Sequence, residues 1–311
     1  MRTAAFIRII IFVAVAVICI LLLVFGLVKG TLGRIRVPNM GVFNNNTYNW
    51  GSDEGYKISS GEKINASNIK SINVDWINGN VLIEEYDGET VQFFEENNSR
   101  ESDLQMRYQD TGGVLNIRFA RSGNINLGLF NNLIKKLTVL IPRDMNIDYL
   151  RIDAVSASVK VQGVNVNSLK VDTTSGDVTI DNAVSETIDI DTVSGRIEIT
   201  ETETYSVDLD SISGNHKFQG ECERFKSNTT SGDVTVYFEI PIKDADFDTI
   251  SGSITVYLTE QNGFTARWDS ISGRFNCDFA TTFQGDSATY GDGSASIRMN
   301  NVSGRMSIKR I

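Results

Sequence analysis

Carboxylates recur in this chain at a spacing that invites a metal ion. An aspartate or asparagine stands three residues before a serine at Asp153, Asp172, Asp191, Asp210, Asn228, Asp248, Asp269 and Asn300, and Asp75 extends the series upstream. If successive copies stack, these side chains form a column, and a column of carboxylates could collect Ca2+, a hard cation that takes several oxygen ligands. The same residue types also close turns, because Asp and Asn side chains accept from backbone N–H groups of their own turn. Two features favour the second reading. Asn228 and Asn300 replace aspartate without breaking the pattern, and the glycine-rich nonapeptide of calcium-binding β-rolls is absent. The pattern therefore predicts a structural turn column, with no metal and no cofactor.

The serine of each copy is followed by a glycine: Gly176, Gly195, Gly214, Gly232, Gly252, Gly273 and Gly304. A single Ser-Gly pair could carry a nucleophile. The same dipeptide repeated along the chain points to corners, where glycine supplies an unusual backbone angle and serine packs or hydrogen-bonds. The only histidine, His216, occupies the inward position that Val178 and Ile197 take in neighbouring copies, so it is expected to pack rather than catalyse. No nucleophile–histidine–carboxylate arrangement surrounds it in the sequence. Cys222 and Cys277 belong to copies three rungs apart, roughly 14 Å along a stack, beyond disulfide reach. Cys277 falls on an inward position and reads as a small core residue. With one histidine and no CxxC pair, a zinc site of Cys and His ligands is excluded.

The elements that carry these residues are legible from the repeat. Successive Ser-Gly serines, from Ser175 to Ser303, are separated by 19, 19, 18, 20, 21 and 31 residues. A period in this range signals a stacked architecture. Ser156-Ala157 and Asn78-Gly79 are degenerate copies. Three and five residues after the serine come apolar side chains: Val178 and Ile180, Ile197 and Ile199, Val234 and Val236, Ile254 and Val256, Met306 and Ile308. Polar residues sit between them, and this period of two is that of a half-buried strand. Leu169-Lys170-Val171, Ile188-Asp189-Ile190 and Val207-Asp208-Leu209 alternate in the same way before the aspartate. Each unit is thus a strand, a corner, a strand and a second bend, which cannot bury its apolar face alone and must stack. The fold class is all-β: a parallel β-solenoid of about 19 residues per rung, right-handed by default. The rival is an antiparallel meander with Ser-Gly at its tips, but tight hairpins prefer Asn-Gly or Asp-Gly.

Residues 150–311 are assigned to the repeats and 65–149 to an N-terminal β subregion. Within the latter, Val91 to Glu95, Leu104 to Tyr108, Val114 to Phe119 and Leu137 to Ile141 look like strands, with Pro142 ending the last. The final 31-residue spacing holds an insertion, Asp278 to Ala295, rich in Gly, Ser and Thr and read as a protruding loop. Residues 31–64 read as a linker. In residues 1–30, Ile9 to Val28 is an uncharged run of 20 residues. A helix of that length spans roughly 30 Å, about one bilayer core. No Ala-x-Ala cleavage site follows it, so an uncleaved transmembrane anchor is expected, with Arg2 and Arg8 at the cytoplasmic end and the remainder outside. The net charge of −10 argues against a nucleic-acid partner.

Val171-Asp172-Thr173-Thr174-Ser175-Gly176-Asp177-Val178 and its repeats, Leu137-Thr138-Val139-Leu140-Ile141-Pro142, and Tyr290-Gly291-Asp292-Gly293-Ser294 carry a resemblance. Over residues 66–311 the chain resembles the adhesin-like toastrack family of bacterial β-solenoid domains, which includes LiaG-like envelope proteins. The resemblance implies a place in the cell envelope and supplies no catalytic residues to carry over. Together these readings predict a membrane-anchored, extracytoplasmic, non-catalytic binding or scaffold module whose partners are the membrane, envelope proteins or cell-wall polymers. The alternative is a glycan-active enzyme of the parallel β-helix type. Such chemistry gathers carboxylates or basic residues in one cleft, whereas here charges are spread over the outward positions of every rung.

Overall fold

In a computed structural model the described residues are 52–97, 99–122 and 133–311, together with the backbone of 47–48 and 125–126. All of them belong to one compact unit. The expected anchor at Ile9–Val28, Cys19 and most of the expected linker lie outside the described residues.

Period-two alternation sets the architecture. In Asn165–Ser175, Leu169 and Val171 are buried while Lys170 between them faces outward, and in Val178–Asp181 the pair Val178 and Ile180 is buried around Thr179. The chain lays such strands side by side, parallel and in register. Leu169 pairs with Leu150 on one side and Ile188 on the other, and Val178 pairs with Val159 and Ile197. In this stretch a side chain meets its equivalent 19 residues along, as Lys170 meets Asp189 and Thr200 meets Asp181. Two parallel ladders result, one on each side of the corner. The apolar rows of both ladders merge into a single core running from Ile69 to Ile308. The described residues therefore form an all-β, solenoid-like stack.

The degenerate copies hold their register. Ser156 pairs with Asn78, Ala157 with Gly79 and Asp153 with Asp75. Beneath Ser71–Tyr86 lies one further rung, assembled from two separate strands, Val114–Arg118 and Lys135–Pro142. Antiparallel strands cover this rung: Arg107–Thr111 on the first and Thr90–Glu96 on the second. The segment expected as a strand over Leu104 to Tyr108 instead begins with a 3-10 turn at Ser102–Leu104 and continues as the strand Arg107–Thr111. A buried ion pair fastens this end. Lys135 Nζ lies 2.7 Å from Glu95 Oε2, donates to the carbonyl oxygens of Leu104 and Phe119, and is fully buried, as is the Glu95 carboxylate. Burial lowers the Lys135 pKa to about 8.

The opposite end departs from the expected order. Asp244–Ser251 pairs not with Phe264–Ser270 but with Ala295–Ser303, which then pairs with Phe264–Ser270 on its other edge. In the second ladder Arg305–Arg310 is likewise inserted between Ile254–Leu258 and Arg274–Cys277. The last copy in sequence is thus the penultimate rung in space. The insertion Asp278 to Ala295 is not simply a protruding loop. Its strands Thr282–Phe283 and Ser287–Tyr290 form a hairpin, and Ser287–Tyr290 runs antiparallel along Phe264–Ser270, covering that edge.

Glycine at the corners answers a close approach more than a special angle. Gly176, Gly195, Gly214 and Gly304 have positive φ, but Gly232, Gly252 and Gly273 do not. What they share is contact. A Cβ built on Gly195, Gly214, Gly232 or Gly252 would sit closer than 3.0 Å to the carbonyl oxygen of the preceding corner glycine. The same test puts Gly304 against Gly252 and Gly273 against Gly304, which repeats the inserted rung order.

Candidate functional site

The aspartate column exists, but it is not a turn-capping column. Its members lie within strands, facing outward beside the residues two positions earlier. Asp153, Asp172, Asp191, Asp210, Asn228 and Asp248 are neighbours in register along the first ladder, and the series continues through Asn300 to Asp269. The carboxylates are held by side chains of neighbouring positions. Arg151 reaches Asp153 at 2.8 Å and Asp172 at 2.5 Å. Lys170 reaches Asp172 at 3.3 Å, Asp189 at 2.8 Å and Asp191 at 3.1 Å. Asn228 donates to Asp210 at 2.5 Å and Asn300 to Asp248 at 2.8 Å. The two asparagines thus add amide donors to the column beside the cations.

Lysine and arginine stems roof the column, and Asp172, Asp191 and Asp210 are buried although they face outward. Burial, followed by repulsion from Asp153, raises Asp75 to about 7. Burial raises Asp153 to about 6 and Asp191 to about 7, against the opposing pull of Arg151 and Lys170 respectively. Asp210 and Asp248 are shifted upward by burial too. Among the described residues no group of His, Cys, Asp and Glu is arranged to hold a metal ion.

The residues that bridge the corners lie two positions after the serine. Asp177 accepts from the backbone N–H of Arg196 at 2.8 Å, Asn215 from that of Asp233 at 2.9 Å, and Asp233 from that of Ser253 at 2.8 Å. Each links its corner to the next rung. Their signal was present as an Asp or Asn directly after the corner glycine, in Gly176-Asp177, Gly214-Asn215 and Gly232-Asp233.

His216 takes the inward place between Ile197 and Val234 and is 1% exposed. Its Nδ1 lies 2.8 Å from Ser227 Oγ and its Nε2 2.8 Å from Ser211 Oγ. Among the described residues no carboxylate touches the ring, and burial lowers its pKa to about 4. It is a neutral core hydrogen-bonding residue. Cys222 and Cys277 are both free thiols. Cys222 is buried in the core and Cys277 packs at its margin.

The first ladder also carries a surface groove of about 240 Å³, lined by Ser206, Asp208, Arg224, Lys226, Asp244, Asp246 and Arg298, with Val207 and Phe225 at its base. Alternation places these polar residues on the outward rows of adjoining rungs. Lys226 is 2.9 Å from Asp208, and Arg298 is 3.3 Å from Asp246 and 3.9 Å from Asp244. Arg224 stands opposite Ser206 and Asp244, is exposed, and makes no ion pair among the described residues. The groove thus offers carboxylate acceptors, ammonium and guanidinium donors, and one uncommitted guanidinium that can take a bidentate anion. Arg151 and Lys170, in contrast, are consumed by the column.

A stack of in-register parallel strands, closed at glycine corners and capped by antiparallel strands, defines a solenoid-like class of all-β domain. The family model described as Toastrack DUF4097 matches residues 69–309, and the chain belongs to that family. Several solved structures are similar. A "putative adhesin" from Bacteroides fragilis NCTC 9343 is 15% identical, with 83% of this chain and 98% of that chain covered at a TM-score of 0.46. A "putative adhesin" from Parabacteroides distasonis ATCC 8503 is 14% identical, with 82% and 97% covered at 0.40. A "putative cell adhesion protein" from Clostridium sporogenes ATCC 15579 is 16% identical, with 82% and 100% covered at 0.28. No curated protein matches the chain.

Proposed function

We propose that the protein is a membrane-anchored, extracytoplasmic binding and scaffold module of the bacterial cell envelope and that it is not an enzyme. The observation that carries this reading is the division of charge on the first ladder. Along the column the cations pair with carboxylates of their own and neighbouring rungs, so those cations are already engaged. In the groove Arg224 remains uncommitted beside outward carboxylates, so that surface is built to meet something else. A catalytic reading draws no support from His216 or Cys222, because both are sealed in the core, where burial holds the imidazole neutral and pushes the thiol pKa up.

The anchor in this reading is a helix over Ile9–Val28, with Arg2 and Arg8 on the cytoplasmic side. The stack is a right-handed coil of about 19 residues per rung. The partner is an envelope protein or a wall polymer that presents an anionic group to Arg224 and hydroxyl or amide groups to Asp208 and Asp246.

Crosslinking the full chain in intact envelopes, with wild type and Arg224→Glu side by side, tests the proposal. Wild type is expected to capture a specific protein or polymer that the variant loses. Equal capture by both, or turnover of wall glycans that depends on one groove carboxylate, would overturn it.

A further inference from the structure

We propose that the C-terminal end of the stack is a self-association surface, where the Arg274–Cys277 strand pairs antiparallel with the same strand of a second copy. The two halves of the last rung are treated differently. The Phe264–Ser270 half is covered by Ser287–Tyr290. The Arg274–Cys277 half pairs in register with Arg305–Arg310 along one edge, and among the described strands none is in register with its other edge. Arg274 N–H donates to Gly304 O and Asp278 N–H to Ile308 O, so alternation directs the N–H and C=O groups of Phe275 and Cys277 away from the stack.

Apolar surface borders this edge. The Trp268 and Phe275 rings stack at 4.0 Å with an interplanar angle of 3°, yet both are only partly buried at the end of the core. Phe283, edge-on to Trp268, is 60% exposed and Ile271 is 73% exposed. Folds normally blunt such an edge or cover it.

The charges favour a second copy as the occupant. Arg274 and Asp278 are both exposed and make no ion pair among the described residues. They lie symmetrically about Asn276. An antiparallel pairing with Asn276 on the two-fold axis sets Arg274 of each copy opposite Asp278 of the other, on the same outer face. The same register brings Phe275 opposite Cys277, so their outward backbone groups meet as hydrogen-bonded pairs and their side chains extend both cores across the joint. The contact is isologous and closes at two copies. The other end of the stack is already capped by Thr90–Glu96 and Arg107–Thr111, so no fibre follows.

Sedimentation of the full chain in detergent tests this, with circular dichroism confirming that each variant is folded. Wild type is expected to dimerise. Arg274→Asp and Asp278→Arg should each weaken the dimer on the order of tenfold, because each turns both symmetry-related attractions into repulsions. The double variant Arg274→Asp/Asp278→Arg should recover it, as should mixing the two single variants. A monomeric wild type, a dimer indifferent to both reversals, or losses that the double variant does not recover would each overturn the proposal.

Discussion

Ser251 lies in register beside Ser303, 52 residues further along the chain by the same pairing that joins Asn300 to Asp248, and not beside Ser272. The last repeat has been drawn back between two earlier ones. Both edges of Ala295–Ser303 are paired as a result, with Asp244–Ser251 on one side and Phe264–Ser270 on the other. A segment near the chain end thereby becomes interior sheet, and the exposed terminal rung falls to Phe264–Cys277, where a hairpin can cover part of it.

The corner glycines should tolerate no side chain, including those without positive φ. Gly232→Ala isolates the effect, because its φ is not in the left-handed region and the added methyl meets Gly214 O. Backbone from the neighbouring rung cannot move aside as a flexible side chain would. A loss of about 3 kcal/mol or more, or failure to fold, is expected in urea unfolding. A change under about 0.5 kcal/mol would show that the rungs do not approach at this corner.

The buried column makes stability fall as pH rises. Asp75, Asp153 and Asp191 have folded pKa values of about 7, 6 and 7, above the ordinary 3.8. The stability they contribute is fully present below about 4 and is lost as pH climbs through 6 to 7. Asp191→Asn keeps the shape of the column, as Asn228 and Asn300 do naturally. It should raise stability at pH 8 by on the order of 1 kcal/mol and change little at pH 4. Lys170→Met should do the reverse, costing about 3 kcal/mol at pH 8, since it strips compensation from three carboxylates. Urea midpoints at the two pH values check both signs.

His216 acts in the opposite direction. Its folded pKa of about 4 lies below the ordinary 6.5. Between those values the unfolded chain binds a proton that the folded chain refuses, so stability falls as pH drops from 6.5 to 4. Replacing both His216 and Ser227 by Val restores an apolar ladder between Ile197 and Val234 and between Leu209 and Phe247. Wild type measured against this double variant should show the acid-side loss disappear. An unchanged slope would mean that His216 is not neutral in the fold.

The strands, the register of the Asp–Ser–Gly units and the inward place of His216 were legible because each is set by alternation over a few residues. Asn78-Gly79 and Ser156-Ala157 were placed correctly for the same reason. The position of Ala295–Arg310 was not legible. Its motif fits either side of Phe264–Cys277, and the choice depends on which edges the hairpin at Thr282–Tyr290 can cover, a nonlocal matter. The column's role was misread because Asp and Asn are common turn residues. The deciding clue lay two positions earlier, in Arg151 and Lys170, whose cations sit on the same face. The groove was invisible, since its lining comes from several rungs and Arg224 differs from Lys226 and Arg298 only in lacking a carboxylate partner.

The stacking order can be read chemically. Parallel neighbours in register have Cα atoms about 4.8 Å apart, inside the range a disulfide requires. Peptide mapping of the oxidised double variant Ser251→Cys/Ser303→Cys should find an intramolecular bridge between the new cysteines, and Ser251→Cys/Ser272→Cys should yield none. Bridging in the second variant and not in the first would contradict the stack described.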